Sequence, residues 1–141
     1  MVKIIIICHG NLAQEFKSSL KMIVGDSSDI YPISFKEDEG TDDLLNKIEN
    51  TIKFNKLNSV IIFADIYGGS PFNAAIRYAI SDKNVEVIAG VNLPILIDTY
   101  LSRDTDLINL IDKIQASSQE FIKYFNKNSL FAEDDDLWLL S

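Results

Sequence analysis

The sequence is short of several residue types, and each shortage excludes a class of protein. Only one of its 141 residues is cysteine, so an internal disulfide is impossible and a cysteine-based structural metal site is excluded. Basic residues number 13 against 21 acidic ones, and the resulting net charge of −8 disfavours nucleic acid and anionic membranes as partners. A phosphate-binding loop with its lysine is missing, so we expect no nucleotide site.

Long apolar runs are also scarce. The amino-terminal run is short and is interrupted by polar residues, so neither a signal peptide nor a membrane span is predicted, and we expect a cytoplasmic protein. Apolar residues nevertheless make up 47% of the chain, which is enough for one core and one domain.

The most informative stretch is the apolar run from Ile4 to Ile7. Four consecutive β-branched residues are typical of a strand that is buried on both faces of a parallel sheet. The run continues through Cys8, interpreted as a buried spectator thiol, to His9, which is the only histidine. Gly10 breaks the strand, and Asn11 is predicted to cap the following helix. The imidazole is therefore placed where open α/β sheets bind ligands.

Strand and helix patterns then alternate along the chain. Apolar spacing predicts a first helix over 11–24 and a second helix that begins after Thr41 as its cap. It also predicts a helix over 70–81 with Ser70 as its cap, a short helix around 95–101, and a long helix from Leu107 to Phe125. Strands are predicted over 30–35, 60–64 and 85–88.

This alternation predicts an α/β fold, an open three-layer α/β/α sandwich around a mainly parallel sheet. The fully apolar runs place the first and third strands in the centre. Pro32 cannot donate a ladder hydrogen bond and places the second strand at an edge, so the simplest strand order is 2-1-3-4.

The candidate site follows from this order, because the chain reverses its winding between the first and third strands. Their carboxyl ends carry His9 and Asp65, which we expect to be neighbours. A carboxylate on one imidazole nitrogen fixes the tautomer and leaves the other nitrogen as a nucleophile. Loop amides at helix N-termini could then neutralise a transferred phosphoryl group near Ser70. The predicted binding residues are Gly10, Gly68, Gly69 and Asn92, and neither a cofactor nor a metal is expected.

From the residues alone, other interpretations stay open. His9 could be a structural residue, Asp65 a loop cap, and the Gly-Gly-Ser-Pro turn a simple helix start. A receiver-like signalling module phosphorylated on Asp65 is a second alternative, although it would need acidic metal ligands where the chain has Cys8 and His9. A flavodoxin-like protein that binds a small ligand at the same switch point is a third.

Three motifs at the predicted crevice resemble the mannose-family enzyme IIA of the bacterial phosphoenolpyruvate-dependent sugar phosphotransferase system. They are Ile7–Gly10, Asp65–Ala75 and Val87–Pro94, and the resemblance covers about residues 2–125. It implies that His9 accepts a phosphoryl group from the phosphocarrier protein HPr and passes it to a separate enzyme IIB, with the membrane components IIC and IID involved indirectly. It also implies that Asp65 orients His9 and that Ser70 lies against the phosphoryl site.

The resemblance further implies a homodimer that exchanges a C-terminal strand. We assign residues 1–127 to the IIA domain and residues 128–141 to an acidic and apolar tail, a candidate for the dimer contact through an added antiparallel strand. The protein would be cytoplasmic, associated peripherally with the permease. Mannose, fructose, sorbose and amino sugars all stay open. The phosphocarrier subunit of dihydroxyacetone kinase is the related alternative, but the Gly-Gly-Ser-Pro-Phe-Asn stretch favours the sugar-transport branch.

Overall fold

The computed structural model describes residues 1–131 and contains one parallel sheet between layers of helices. The strands are β1 (Lys3–His9), β2 (Ile30–Phe35), β3 (Val60–Ala64) and β4 (Val85–Ala89). The helices are α1 (Leu12–Val24), α2 (Thr41–Phe54), α3 (Ser70–Ile80), α4 (Leu93–Leu101) and α5 (Leu107–Ser117), followed by 3₁₀ turns at Ser118–Phe121 and Lys127–Phe131. The strand order is β2-β1-β3-β4 with every pair parallel, which confirms the predicted α/β fold and order.

The two faces of the sheet explain the isoleucine run of β1. Ile4 and Ile6 pack on the side of α1, α4 and α5, whereas Ile5 and Ile7 pack on the side of α2 and α3. All four side chains are fully buried. Burying an isoleucine contributes about 1.5–3 kcal/mol, so an apolar residue is favoured at every position of this strand. Pro32 lies in the edge strand β2, as expected for a residue without an N–H.

Two of the three predicted helix caps are wrong. Asn11 does occupy the N-cap position of α1, although its side chain makes no capping hydrogen bond. Thr41 and Ser70 are the first helical residues rather than the caps, because Gly40 and Gly69 occupy the cap positions. At α2 the Asp43 carboxylate accepts a hydrogen bond from the Gly40 N–H at 2.8 Å and so satisfies the backbone N–H of the cap residue.

The last helix is shorter than predicted. Helix α5 ends at Ser117, Phe121 lies in the following 3₁₀ turn, and Phe125 is 60% exposed outside any helix. The Ser118 hydroxyl donates to the Gln115 carbonyl at 3.0 Å, and such local bonds compete with the continuation of a helix. The apolar spacing misled the prediction because Phe121 still packs against the core from the 3₁₀ turn.

The predicted exchanged strand falls in residues 132–141, which lie outside the described residues. Up to residue 131, no helix is long and apolar enough to cross a membrane.

An ion-pair network closes the amino edge of the sheet. The Asp29 carboxylate accepts from Lys3 Nζ at 2.6 Å and from Arg103 Nε at 2.9 Å. The Arg103 guanidinium lies 3.7 Å from the centre of the Tyr100 ring, and the Arg103 carbonyl accepts from the Val2 N–H at 3.0 Å. Burial opposes the charge of Asp29, but the hydrogen bonds from Lys3 and Arg103 outweigh it and hold the pKa of the carboxyl below its usual value.

Candidate functional site

The candidate site lies at the carboxyl edge of the sheet, where β1 and β3 end side by side. Ile7 is paired with Ala64, so the next residues of the two strands project from the same edge. Asp65 is the first residue after β3, and His9 is the last residue of β1. The sheet register therefore brings together two residues that are 56 positions apart in the sequence.

Asp65 binds His9 through two hydrogen bonds to the same carboxylate oxygen. The distance from His9 Nδ1 to Asp65 Oδ2 is 2.8 Å, and the His9 backbone N–H donates to that oxygen at 2.9 Å. The other oxygen, Oδ1, accepts from the Ile66 N–H at 2.9 Å. The expected contact between His9 and Asp65 is thereby confirmed.

The contact sets the chemistry available to the imidazole. An ionised carboxylate only accepts hydrogen bonds, so the hydrogen of the neutral ring lies on Nδ1 and the free lone pair on Nε2. The His9 side chain is 48% exposed, whereas that of Asp65 is 10% exposed. The carboxylate is thus held inside the protein while the ring is open to a reactant.

Two further residues restrain the ring, and neither restraint was foreseen from the sequence. Phe35 contacts His9 edge to face, with ring centres 5.4 Å apart. A Cβ atom added to Gly69 would lie 3.3 Å from His9 Cε1, so the backbone passes close to the imidazole. The available signal for Phe35 was the strand register, which places it opposite His9.

The predicted glycines shape the loops around the ring. Gly10 and Gly68 have φ angles of +58° and +82°, a region that favours glycine. The Gly10 N–H donates to the Phe35 carbonyl at 2.8 Å and joins the end of β1 to β2. Gly69 caps α3, so the start of that helix lies beside His9.

This helix start is suited to an anion. The first N–H groups of a helix have no acceptor within it and carry a partial positive charge. Ser70 is the first residue of α3 and is partly exposed. Its role at the phosphoryl group stays a prediction.

Asn92 and Cys8 lie at the same edge in other roles. Asn92 caps α4, and its Oδ1 accepts from the Ile95 N–H at 2.9 Å; its binding role stays a prediction. Cys8 is fully buried. Burial, with a smaller contribution from the Asp65 charge, raises the pKa of the Cys8 thiol to about 12. The thiol therefore stays protonated at neutral pH and is a poor nucleophile.

Fold and site together define a doubly wound α/β protein that presents one carboxylate-bound histidine at its switch point. The chain belongs to the EIIA-man family, the fructose IIA component of the sugar phosphotransferase system (PTS), whose family model matches residues 3–115. It is a sugar-specific EIIA component of the mannose, fructose and sorbose class, and the family identified from the motifs is confirmed.

Curated relatives of this chain are also EIIA or EIIAB components of the phosphotransferase system. The sorbose-specific EIIA component of Lacticaseibacillus casei is 29% identical over 137 residues, which cover 96% of this chain and 99% of that protein. The fructose-specific EIIA component of Bacillus subtilis is 33% identical over 122 residues, with 85% and 84% covered. The mannose-specific EIIAB component of Escherichia coli K12 is 35% identical over 106 residues; these cover 74% of this chain and 33% of that longer protein.

A solved structure supports the same assignment. The phosphotransferase system component EIIA from Streptococcus agalactiae superposes with a TM-score of 0.81 at 29% identity, covering 89% of this chain and 98% of that one.

Proposed function

We propose that this chain is a phosphocarrier in which His9 accepts a phosphoryl group from phospho-HPr and passes it to a separate enzyme IIB. The observation that carries the proposal is the 2.8 Å contact between His9 Nδ1 and Asp65, which leaves Nε2 as the free nitrogen of a half-exposed ring. EIIA components are phosphocarriers of a phosphotransferase system, in keeping with this role.

In the proposed reaction the Nε2 lone pair attacks the phosphorus atom of the donor. The bond between phosphorus and the donor residue breaks as the new N–P bond forms, and the bonding electrons leave with the donor. Positive charge develops on the ring, and the Asp65 carboxylate stabilises it through Nδ1–H. The second transfer runs in the opposite sense, with the acceptor attacking phosphorus and His9 as the leaving group.

The start of α3 would hold the phosphoryl oxygens. Gly69 lies against the imidazole, so the unpaired N–H groups of the first helical turn are close to the reacting nitrogen. We propose Ser70 as a further hydrogen-bond donor there. Phosphoryl transfer requires mainly positioning and charge neutralisation, and this arrangement would supply both.

The wider cellular role follows from the same proposal. His9 would exchange phosphoryl groups only with proteins, so the acceptor and the membrane components IIC and IID would determine the sugar. We propose that the protein works in the cytoplasm beside the permease and that two copies associate through residues 128–141. Within that segment, Leu130 is 3% exposed and Phe131 is 76% exposed.

A receiver-like role for Asp65 fits the geometry less well. Both Asp65 oxygens already accept hydrogen bonds from His9 or Ile66, and the side chain is 10% exposed. Phosphorylation of this carboxylate would break those bonds. If the phosphoryl group on the labelled protein is lost in acid, the labelled residue is phosphohistidine; if it is lost in base, the label is an acyl phosphate on a carboxylate.

The test is His9→Gln, assayed for phosphate incorporation from phosphoenolpyruvate, enzyme I and HPr. We expect incorporation to be abolished because glutamine has no nucleophilic ring nitrogen. Asp104→Asn, an exposed change at the opposite edge, should retain full labelling. Labelling of the His9→Gln protein at the normal level would show that another residue is the acceptor. Assays of the labelled protein with an enzyme IIB and with a dihydroxyacetone kinase would identify the branch.

A further inference from the structure

We propose that Asn73 is a positioning residue for phosphoryl transfer, acting through the loop of residues 65–69 that orients the His9 ring. Asn73 ends the Gly-Gly-Ser-Pro-Phe-Asn stretch, lies at the end of the first turn of α3 and is exposed. Its role is exerted on the backbone of residues 65–69, which we call the β3–α3 loop, rather than on the reacting atoms. The inference rests on the proposed phosphocarrier function and adds a residue that keeps the site assembled.

The β3–α3 loop contacts the imidazole at both of its ends. Asp65, its first residue, binds His9 Nδ1 at 2.8 Å. Gly69, its last residue, passes so close to the ring that an added Cβ atom would lie 3.3 Å from His9 Cε1. The three residues between these ends are all exposed, so the core does not hold them. Other contacts must therefore fix the loop if both ends are to keep their places on the ring.

The peptide between Gly68 and Gly69 is the least restrained part of this loop. Gly68 has a φ angle of +82°, and neither residue has the side chain that limits backbone rotation elsewhere. The C=O and N–H of a trans peptide point in opposite directions, so one hydrogen bond on each side fixes its plane. The Gly69 N–H donates to the Ile66 carbonyl at 3.3 Å, which holds one side. The other side depends on what binds the Gly68 carbonyl.

Asn73 binds the Gly68 carbonyl. Its Nδ2 donates to that oxygen at 3.3 Å, and among residues 1–131 no backbone N–H does so. The Asn73 backbone N–H donates to the next carbonyl, that of Gly69, at 2.9 Å. One residue thus holds two consecutive carbonyl groups and joins the glycine pair to the start of α3.

The residue type at position 73 supports this role. Asparagine is a weak helix former, because its side chain competes by binding nearby backbone groups outside the helix. In this protein that competing bond is made, and it is directed at the loop. The Tyr67 ring also packs on Phe72, with ring centres 4.6 Å apart, and holds the tip of the loop through side chains. The bond from Asn73 is therefore a separate restraint, which acts on the backbone.

Loss of the Asn73 amide would leave the peptide between the two glycines free to rotate. Gly69 would then leave its place against the ring, and the N–H groups at the start of α3 would lose their fixed position beside the imidazole. Phosphoryl transfer depends mainly on positioning and charge neutralisation. The loss should therefore lower the rate of the chemical step rather than weaken donor binding.

The first test removes the amide. Asn73→Ala should lower kcat for transfer from phospho-HPr about tenfold and change KM by less than about twofold, because the positioning of the ring is lost and donor binding is not. The thermal midpoint should stay nearly unchanged, since a better helix former offsets the loss of one exposed hydrogen bond. An unchanged kcat, or a loss that appears only in KM, would overturn the inference.

The matched control is Asn109→Ala. Asn109 is an exposed asparagine near the start of α5, and its Nδ2 donates to Asp106 Oδ2 at 3.0 Å. It lines a cavity at the amino edge together with Val2 and Lys3, at the opposite edge of the sheet from His9. This variant also loses one exposed hydrogen bond but should transfer at the normal rate. Equal losses of kcat in the two alanine variants would contradict a specific role for Asn73.

The second test restores the donor with Asn73→Gln. Glutamine carries the same terminal amide on a side chain that is longer by one methylene group, so it can still donate to the Gly68 carbonyl. We expect kcat within about threefold of the unsubstituted value. A glutamine variant as slow as Asn73→Ala would overturn the role of the amide.

NMR reports the position of the loop independently of the rate. The signals of the His9 Cε1 proton and the Gly69 amide proton should shift in the Asn73→Ala protein, because Gly69 moves relative to the ring. They should return toward their original positions in Asn73→Gln and stay in place in Asn109→Ala. Unshifted signals in the Asn73→Ala protein would contradict the inference.

A chemical donor separates this inference from the proposed function. Phosphoramidate transfers its phosphoryl group as His9 Nε2 attacks phosphorus, the P–N bond breaks and ammonia leaves with the bonding electrons. Labelling by this donor should also be about tenfold slower in Asn73→Ala, because the ring and the start of α3 act on every donor. A loss with phospho-HPr but not with phosphoramidate would overturn the positioning role only. An absence of His9 labelling from every donor in the unsubstituted protein would overturn the phosphocarrier function itself.

Discussion

His9 is restrained on three sides, and each restraint has a different physical origin. Asp65 binds Nδ1, Phe35 contacts the ring edge to face, and the backbone at Gly69 approaches Cε1. These contacts leave Nε2 as the nitrogen that can react. A ring already held in its reactive orientation loses less freedom on the way to the transition state.

Removal of the Asp65 carboxylate tests the orienting role. We expect Asp65→Ala to lower the rate of phosphoryl transfer by about 100-fold or more, because the tautomer and orientation of the imidazole are no longer fixed. Nitrogen NMR of His9 should show a mixed tautomer in this variant and a single Nδ1–H tautomer in the unsubstituted protein.

Asp42→Ala is the matched control, since Asp42 is an exposed carboxylate at the start of α2. Its transfer rate should not change. An unaltered rate in the Asp65 variant, with His9 still in one tautomer, would reduce Asp65 to a loop cap.

The close approach at Gly69 gives a steric test. A methyl group at this position would lie 3.3 Å from His9 Cε1, tighter than most side-chain contacts, so the ring must shift away from it. We expect Gly69→Ala to slow transfer about tenfold while leaving the thermal midpoint nearly unchanged. Gly40→Ala has open space around the new methyl group and should transfer at the normal rate. A fully active Gly69→Ala protein would show that the close approach has no functional role.

At the scale of elements, the sequence predicts strands better than helix ends. The isoleucine run of β1 and the apolar run of β3 could form only strands covered on both faces, and Pro32 could lie only at an edge. Helix ends depend on which nearby group satisfies a few backbone N–H and C=O groups, so several side chains compete there. At α2, Gly40 rather than Thr41 occupies the cap position, and α5 ends at Ser117, where the Ser118 hydroxyl binds the Gln115 carbonyl, well before Phe125.

The ion-pair network at the amino edge could not be predicted, because Asp29 and Arg103 are 74 residues apart and no pattern links them. We expect Asp29→Asn to lower the free energy of unfolding by about 2 kcal/mol, since two half-buried cations lose their partner. Asp42→Asn breaks the exposed pair with Arg77 and should cost less than about 1 kcal/mol. Chemical denaturation measures both values, and an equal loss of unfolding free energy in the Asp29→Asn and Asp42→Asn proteins would contradict this difference.

The network also has a predictable pH dependence. The pKa of Asp29 is lowered in the folded protein, so its contribution to stability is present above the unfolded pKa and is lost as the pH falls through the folded value. The Asp29→Asn protein should therefore lose less stability between neutral and acidic pH than the unsubstituted protein. Parallel stability curves would show that Asp29 titrates alike in both states.

At the scale of the whole molecule, a stabilising ion-pair network and the candidate site lie at opposite edges of the sheet. The Asp29 network lies at the amino edge, whereas His9, Asp65 and the start of α3 lie at the carboxyl edge. The juxtaposition of His9 and Asp65 was predictable because it follows from strand order alone. The register of β1 and β2 places Phe35 opposite His9, but its edge-to-face contact depends on side-chain rotamers and the approach of Gly69 depends on a loop path, and no residue pattern encodes either.

The central claim is that His9 Nε2 carries the phosphoryl group, and NMR of the phosphorylated protein tests it most directly. After incubation with phosphoenolpyruvate, enzyme I and HPr, a phosphorus–nitrogen coupling to Nε2 of His9 is the predicted result, with Nδ1 still protonated. A coupling to Nδ1, or a phosphoryl group on any other residue, would contradict the account.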